Sequence, residues 1–400
     1  MKLLFDACLL TRRSVRNSVF KPTSFNFLFR PENYFKVEHR SLQHTCRCVT
    51  DTIKQNKCGY MQRIRELHCT NYLYAKDASL PHGFDSYGFD DMSHLHSDIK
   101  KILHTNVKPL QTMCSYYFDG NGKHFRPKVV SLVSKLCNEH GGIERKVSEN
   151  QRKISLIAEM IHVGSLIHDD VVDFSNVRRG KRSVNALCGD HNAVMVGNYV
   201  VANASKLLSS IGNPEITIII SQIIDDIVRG EFMQQDNKDQ FKHYLKKTYK
   251  KTASLIANCC KAVACLSSNN NEVIEAAYQY GSNIGMAFQL VDDLLDFVAS
   301  SKTLGKPSVA DLKLGLATAP VLFACDKHPD LHSLILRRFN ETGDVEWALE
   351  AVYNSSALEE TRLLAEQYCK DARLALSMFH ESTNKTALLQ LTDVVLNRSK

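Results

Sequence analysis

Two short stretches carry more negative charge than their apolar surroundings lead one to expect. HDDVVDFSNVRRGK at 168–181 contains Asp169, Asp170 and Asp173, and QLVDDLLDF at 289–297 contains Asp292, Asp293 and Asp296. On a helix, residues four apart share a face, and like charges there repel by about 0.2–0.5 kcal/mol. Placed late in a helix, they also meet the negative end of its dipole. A bound cation offsets both costs. Clustered carboxylate oxygens suit a hard ion such as Mg²⁺, which binds through one or two carboxylates plus the phosphates of a substrate. One such motif alone reads more readily as a solvated acidic face. The pair Asp225-Asp226 illustrates this, because Arg229 lies one turn on and no metal is needed there. Two full D-D-x-x-D motifs, 123 residues apart and both in apolar flanks, argue for metal.

Basic residues complete the chemistry. Arg178, Arg179 and Lys181 follow the first motif, and carboxylates, metal and guanidinium groups together make a site for a polyphosphate. GKHFRP adds Lys123 and Arg126, KKTASL adds Lys250, Lys251 and Thr252, and GKP adds Lys306. His162 lies two helical turns before Asp169 and can point into the same cavity, whereas His168 beside the acids is expected to make a supporting hydrogen bond. No P-loop or G-x-G-x-x-G accompanies these residues, which argues against a nucleotide fold.

The elements that position them read as helices. Period-3.6 apolar patterns cover roughly 147–173, 191–211, 214–234, 239–268, 271–300, 311–326 and 343–400, and Pro127 opens a further helix. Residues 180–190 read as loop. Strand signals are scarce. The expectation is an all-α fold, a single large bundle of ten or more helices around a central cavity. The 400 residues, 44% hydrophobic, suffice for such a core. The thirteen cysteines form no C-x-x-C pair and read as reduced thiols of an intracellular protein. No apolar run is long enough to span a membrane. The net charge of +7 sits mostly in residues 1–50, which leaves no basic stripe for nucleic acid.

Together these residues resemble the trans-isoprenyl diphosphate synthase family. The motifs are GK-x-x-RP, D-D-x-x-D followed by RRGK, KT, and Q-L-x-D-D-x-x-D followed by GKP and DLKLG-x-x-T. The similarity covers about 93–400. It implies the isoprenoid synthase fold and Mg²⁺-dependent condensation of isopentenyl diphosphate onto an allylic diphosphate, farnesyl or geranylgeranyl. It implies that Asp169, Asp173 and Asp292 bind the metal ions, supported by Asp170, Asp293 and Asp296. Lys123, Arg126, His162 and Arg179 would hold isopentenyl diphosphate. Arg178, Lys251, Thr252, Gln289 and Lys306 would hold the allylic diphosphate. The chain departs from the usual pattern at His124, where a basic contact is weakened, and at Phe174, where a polar residue is common. Ionisation of the allylic C–O bond needs no protein nucleophile, in keeping with the lack of a Ser-His or Cys-His arrangement.

The small residues Gly164 and Ser165, one turn before Asp169, leave room for a growing chain, with Ile161 and Ala158 further down the tunnel. They equally suit close helix packing. The first reading predicts long products of nona- or decaprenyl length, destined for ubiquinone. Rival readings are a geranylgeranyl-type synthase, a non-catalytic subunit and a terpene cyclase. Intact acidic motifs oppose a non-catalytic subunit, and GK-x-x-RP opposes a cyclase. Residues 1–35, rich in Arg and Ser and poor in acids, read as a mitochondrial transit peptide. Residues 36–92 read as a linker or arm, and 93–400 as the catalytic domain of a matrix or inner-membrane enzyme. The resemblance implies a homodimer, or a heterotetramer with a degenerate second subunit. The lipid product implies transient membrane contact.

Overall fold

The computed structural model describes residues 94–119, 124–143, 146–235, 241–298 and 309–398. The expected transit peptide and arm, Lys123 and Lys306 lie outside the described residues. The described chain falls within one compact unit, Leu80–Lys400.

Helices α1 (Leu95–Ile102), α2 (Lys108–Cys114) and α3 (Phe125–His140) lead into the long α4 (Glu149–Val172). Ser148 starts α4 through a capping box: its hydroxyl accepts from the Gln151 N–H, and the Gln151 amide oxygen accepts from the Ser148 N–H. Ile154, Leu156, Ile157, Met160 and Val163 are all buried, so α4 is surrounded on nearly every side. Each such side chain contributes about 1.5–3 kcal/mol by leaving water.

The segment expected as loop after α4 is more ordered than its sequence suggests. Val177–Arg178 (β1) and Lys181–Arg182 (β2) pair antiparallel, with Val177 opposite Arg182 and Arg178 opposite Lys181. The turn residues Arg179 and Gly180 both have positive φ, 52° and 74°, which suits the two-residue hairpin turns that match strand twist. A short α5 (Val184–Cys188) follows, then α6 (Asp190–Ser209) and α7 (Pro214–Gln235), whose first turn is capped by Asn213.

The long helix expected over 239–268 is interrupted. It runs as α8 (Phe241–Thr248), a π-helical turn at Tyr249–Ala253, and α9 (Ser254–Cys265). Wide turns of this kind recur at functional sites because they re-aim side chains. Gly285, in α10 (Asn271–Val298), lets that turn sit close: a Cβ there would stand 2.7 Å from Ala253 Cα. The expected 311–326 helix is two pieces, α11 (Ala310–Lys313) and α12 (Ala319–Ala324). Then come α13 (Leu331–Leu336), α14 (Asp344–Tyr353), α15 (Ala357–Ala375) and α16 (Thr383–Asn397). α10 packs against α9 and α15, and α4 packs against α6. The buried Tyr280 ties α10 to α16 by donating to the Leu388 carbonyl at 3.0 Å. The architecture is all-α with one small hairpin. Among the described residues no helix is long and apolar enough to cross a membrane, and the cysteines are free.

Candidate active site

The three acids of the first motif separate into distinct jobs. Asp170 is fully buried. Tyr117 donates to its Oδ2 at 2.8 Å, and Arg178 donates Nε and Nη2 to its Oδ1 at 2.9 and 2.6 Å. It anchors the hairpin and offers nothing to a ligand. Asp169 and Asp173 are partly exposed. Burial raises the Asp169 carboxyl to about 6; Lys251 opposes the shift, while Glu231 and Asp173 reinforce it. Asp173 is raised as well, first by burial. Carboxylates held this reluctantly in their charged form are suited to a cation.

The chain leaves α4 through Phe174 at φ 52°, with Phe174 N–H bonded to the Val171 carbonyl and Ser175 N–H to the Asp170 carbonyl. This closure normally uses Gly or Asn. A bulky residue here costs of order 1–3 kcal/mol, and it fixes the backbone directly after Asp173. Phe174→Asn is expected to raise unfolding stability by about 1 kcal/mol. Chemical denaturation checks this; an unchanged or lower midpoint would show that the 65% exposed phenyl ring makes contacts that outweigh the backbone strain.

The charge beside the first motif is divided among its neighbours. Arg178 goes to Asp170 and Lys181 pairs with Asp119. Arg179, at the hairpin tip, acts electrostatically on Arg126, His162 and Glu159.

The π turn supplies the connection to the second motif. Lys251 Nζ bonds Glu231 at 2.7 Å and Gln234 at 3.1 Å, and it acts electrostatically on Asp169 and Asp173. Thr252, the next residue, donates to Gln289 Oε1 at 2.9 Å, and Gln289 Nε2 donates to Asp293 Oδ1 at 2.9 Å. Asp293 is buried and also accepts from Tyr244. Asp296 accepts from the N–H groups of Ala310 and Asp311, both at 3.1 Å, and so fixes the start of α11. Asp292, its side chain 44% exposed, pairs with Arg398 at 2.9 Å. Lys250 points away from these groups, to the buried Asp226, which also accepts from Ser254. The expected ion pair on α7 forms only at Asp225, with Arg229. Asp226 is a structural partner of the π turn.

The basic cluster lies on α3 and α4. Arg126 donates Nη1 to His162 Nε2 at 3.1 Å. Arginine has no acceptor, so His162 is the neutral tautomer with its proton on Nδ1. Burial, then Arg126 and Arg179, hold its pKa well below the usual histidine range. Arg126 Nε is buried without a partner among the described residues. Phe288 lies under this cluster, with Arg398 Cζ 3.7 Å and Arg126 Cζ 5.7 Å from its ring centroid.

Two expectations change. His168 does not support the acids; its Nε2 meets the Val194 carbonyl at 3.3 Å, so it joins α4 to α6. Gly164 faces α6, where a Cβ would stand 2.8 Å from Val201 Cγ2, and this is the close-packing role. Ser165 remains half-buried, its hydroxyl donating to the His162 carbonyl at 2.9 Å. Ala158 and Ile161 are buried.

Several residues here were not singled out from the sequence. Glu231 and Gln234 hold Lys251, and Tyr117 and Tyr244 hold the buried acids. Arg398 covers Asp292. Asp311 is raised to about 7, first by burial and then by Asp293 and Asp296. The DLKLG stretch signalled Asp311 without assigning it a role.

The donor set is oxygen-only, carries excess negative charge and lies near the Arg126 guanidinium, whose buried Nε has no partner among the described residues. That suits divalent cations bridging to an anionic substrate. Metal must displace the proton that the raised value of Asp169 keeps on its carboxyl at mildly acidic pH. Apparent divalent-metal affinity should therefore fall as pH drops from about 7 to about 5, with protons released on binding. Calorimetry in buffers of different ionisation enthalpy checks this, and a flat profile would contradict it.

An all-α fold whose π turn links two acid motifs, with a basic cluster nearby, suits a metal-dependent diphosphate enzyme. The polyprenyl synthetase family profile matches residues 107–352. The chain is 49% identical over 317 residues to the human All trans-polyprenyl-diphosphate synthase PDSS1, covering 78% of this chain and 76% of that protein. It is 38% identical over 340 residues to Decaprenyl-diphosphate synthase subunit 1 of Schizosaccharomyces pombe, covering 78% and 90%. It is 36% identical over 333 residues to Solanesyl-diphosphate synthase 1, mitochondrial, of Oryza sativa subsp. japonica, covering 78% and 77%. Among solved structures, a polyprenyl synthase from Caulobacter crescentus CB15, complexed with calcium and isoprenyl diphosphate, superposes with a TM-score of 0.69. It is 30% identical, over 77% of this chain and 95% of that one. The chain belongs to the polyprenyl synthetase family and is a long-chain trans-polyprenyl diphosphate synthase. Enzymes of this family use a divalent metal and join isopentenyl diphosphate to an allylic diphosphate. The rice relative is named as mitochondrial.

Proposed function

We propose that this chain makes nona- or decaprenyl diphosphate for the ubiquinone side chain, using Mg²⁺, in the matrix or at the matrix face of the inner membrane. In this reading residues 1–35 are a leader, 36–92 an arm and 93–400 the catalytic domain. The enzyme works as a homodimer or with a degenerate second subunit, and touches the membrane transiently to release product. The name of the S. pombe relative, a subunit, supports the heteromeric form.

The observation that carries the reading is Arg126: its Nη1 donates to a neutral His162, its buried Nε has no partner among the described residues, and Asp292 of the second motif acts on its charge. A buried guanidinium N–H without an acceptor is costly unless an anion completes it. Isopentenyl diphosphate supplies that anion: Arg126, Arg179 and Lys123 donate to it, and His162 donates from Nδ1. Asp169, Asp173 and Asp292 hold Mg²⁺ at the allylic diphosphate, with Asp170, Asp293 and Asp296 fixing the surrounding backbone. When bound, the ions draw charge from the leaving diphosphate and ease heterolysis of the allylic C–O bond. Lys251, held by Glu231 and Gln234, donates to the same diphosphate, together with Lys306. Thr252 and Gln289 set the π turn at the correct height. Arg178 acts by fixing the hairpin through Asp170. The double bond of isopentenyl diphosphate attacks the allylic carbon, and the departing diphosphate takes the proton that restores the alkene. Buried apolar residues around Ile161 exclude water from the cation. Ser165 leaves room for the elongating chain.

The test is co-expression of the full chain with a candidate second subunit. Mg²⁺-dependent long polyprenyl products from the pair, with none from this chain alone, would establish the heteromer; equal activity alone would remove it.

A further inference from the structure

His96 from α1, His124 at the start of α3 and Glu159 from α4 converge on one point. Each offers a ligand atom, and these atoms lie within 4.8 Å of one another. The two imidazole rings meet edge to face with centroids 4.4 Å apart. His96 Nε2 and His124 Nδ1 are buried and have no hydrogen-bond partner among the described residues. Glu159 is only 4% exposed, and no described side chain hydrogen-bonds to its carboxylate. His124 holds φ 49°, a conformation that a branched or bulky residue avoids and that brings its ring toward His96. We propose that His96, His124 and Glu159 form a second cation site, separate from the aspartate motifs and selective for a borderline transition metal of the Zn²⁺ class.

The donor set decides the class of ion. Two imidazole nitrogens and one carboxylate oxygen are the ligands of open zinc sites, with a fourth position for water or an anion. Mg²⁺ prefers oxygen donors and leaves such a site empty. Tetrahedral bonds of about 2.1 Å place ligand atoms roughly 3.4 Å apart, a small rotamer adjustment from the present spacing. Burial and the proximity of His124 hold His96 at about 4, so it is neutral and able to ligate at physiological pH. The surrounding charges are mixed: Lys100, Arg126 and Arg179 oppose a cation, and Asp119 favours one. Glu159 sits one turn from His162 on α4, so the ion would link three helices beside the Arg126 cluster. The alternative occupant of two orphaned imidazoles is an anion. Glu159 disfavours it, because a carboxylate that close repels phosphate.

The experiment strips the full-length protein with chelator and dialyses it against micromolar Zn²⁺ in excess Mg²⁺. Bound zinc is then counted by elemental analysis in wild type and in a His96→Gln/His124→Gln variant, with folding checked by circular dichroism. The proposal expects wild type to retain one zinc per chain more than the variant, and Co²⁺ to give a tetrahedral absorption band only in wild type. Equal zinc in both proteins would overturn it, since the cysteines then account for the metal. So would unchanged zinc together with weakened binding of inorganic diphosphate by the variant, which would assign the pair to an anion. If the variant does not fold, Zn²⁺ titration of wild type by NMR decides: two histidine rings shift with the first equivalent, or the proposal fails.

Discussion

Asp169→Asn is expected to lower turnover by about a thousandfold or more while leaving the fold intact, and Asp170→Asn is expected to do the reverse first. The two are adjacent in sequence but opposite in environment. Asp169 is partly exposed, its carboxyl raised to about 6 by burial and answered mainly by Lys251. In the proposed function Asp169 is a metal ligand, so losing its charge weakens the centre that stabilises the leaving diphosphate, an effect of several kcal/mol on the barrier. Asp170 is buried and bonded by Tyr117 and Arg178. Neutralising it leaves Arg178 without its partner and loosens the hairpin, at a cost of about 3 kcal/mol in stability. Turnover and denaturation midpoints measured on both variants separate the roles. Equal kinetic and stability losses for the two would contradict the division.

Arg126→Met is expected to raise KM for isopentenyl diphosphate by about two to three orders of magnitude and to leave KM for the allylic substrate nearly unchanged. Arg126 carries a buried Nε with no partner among the described residues, and its Nη1 donates to the neutral His162 at 3.1 Å. Charge-assisted hydrogen bonds of this kind contribute about 1.5–3 kcal/mol each, and a tenfold change corresponds to about 1.4 kcal/mol. Methionine keeps an apolar stem but removes every donor and the guanidinium over the Phe288 ring. Initial-rate kinetics varying each substrate separately provide the check. A rise confined to the allylic KM would exchange the two diphosphate sites.

What could be read from the sequence was whatever depends on local period and residue chemistry. The apolar repeat of α4 and α10 announced helices, and the two D-D-x-x-D motifs pointed to the acid cluster that the proposed metal site uses. Tertiary decisions were not legible in the same way. The sequence does not say that Arg178 turns back to Asp170 while Arg179 turns to the basic cluster; that division follows from a hairpin whose strands are too short for a pattern. The π turn has no periodic signature either, yet it sends Lys250 to Asp226 and Lys251 to Glu231, where its charge acts on the first motif. Asp296 looks like its neighbours in sequence but serves to start α11. Gly164 could have been read as tunnel floor or helix contact, and only the approach of Val201 supports the contact.

The most direct measurement of the central claim is the size of the product. Full-length protein, with and without a candidate second subunit, receives farnesyl diphosphate, labelled isopentenyl diphosphate and Mg²⁺, and the products are separated by chain length. The account predicts long polyprenyl chains, abolished by Asp169→Asn and requiring far more isopentenyl diphosphate in Arg126→Met. Products that stop at geranylgeranyl, or no product from either preparation, would contradict it.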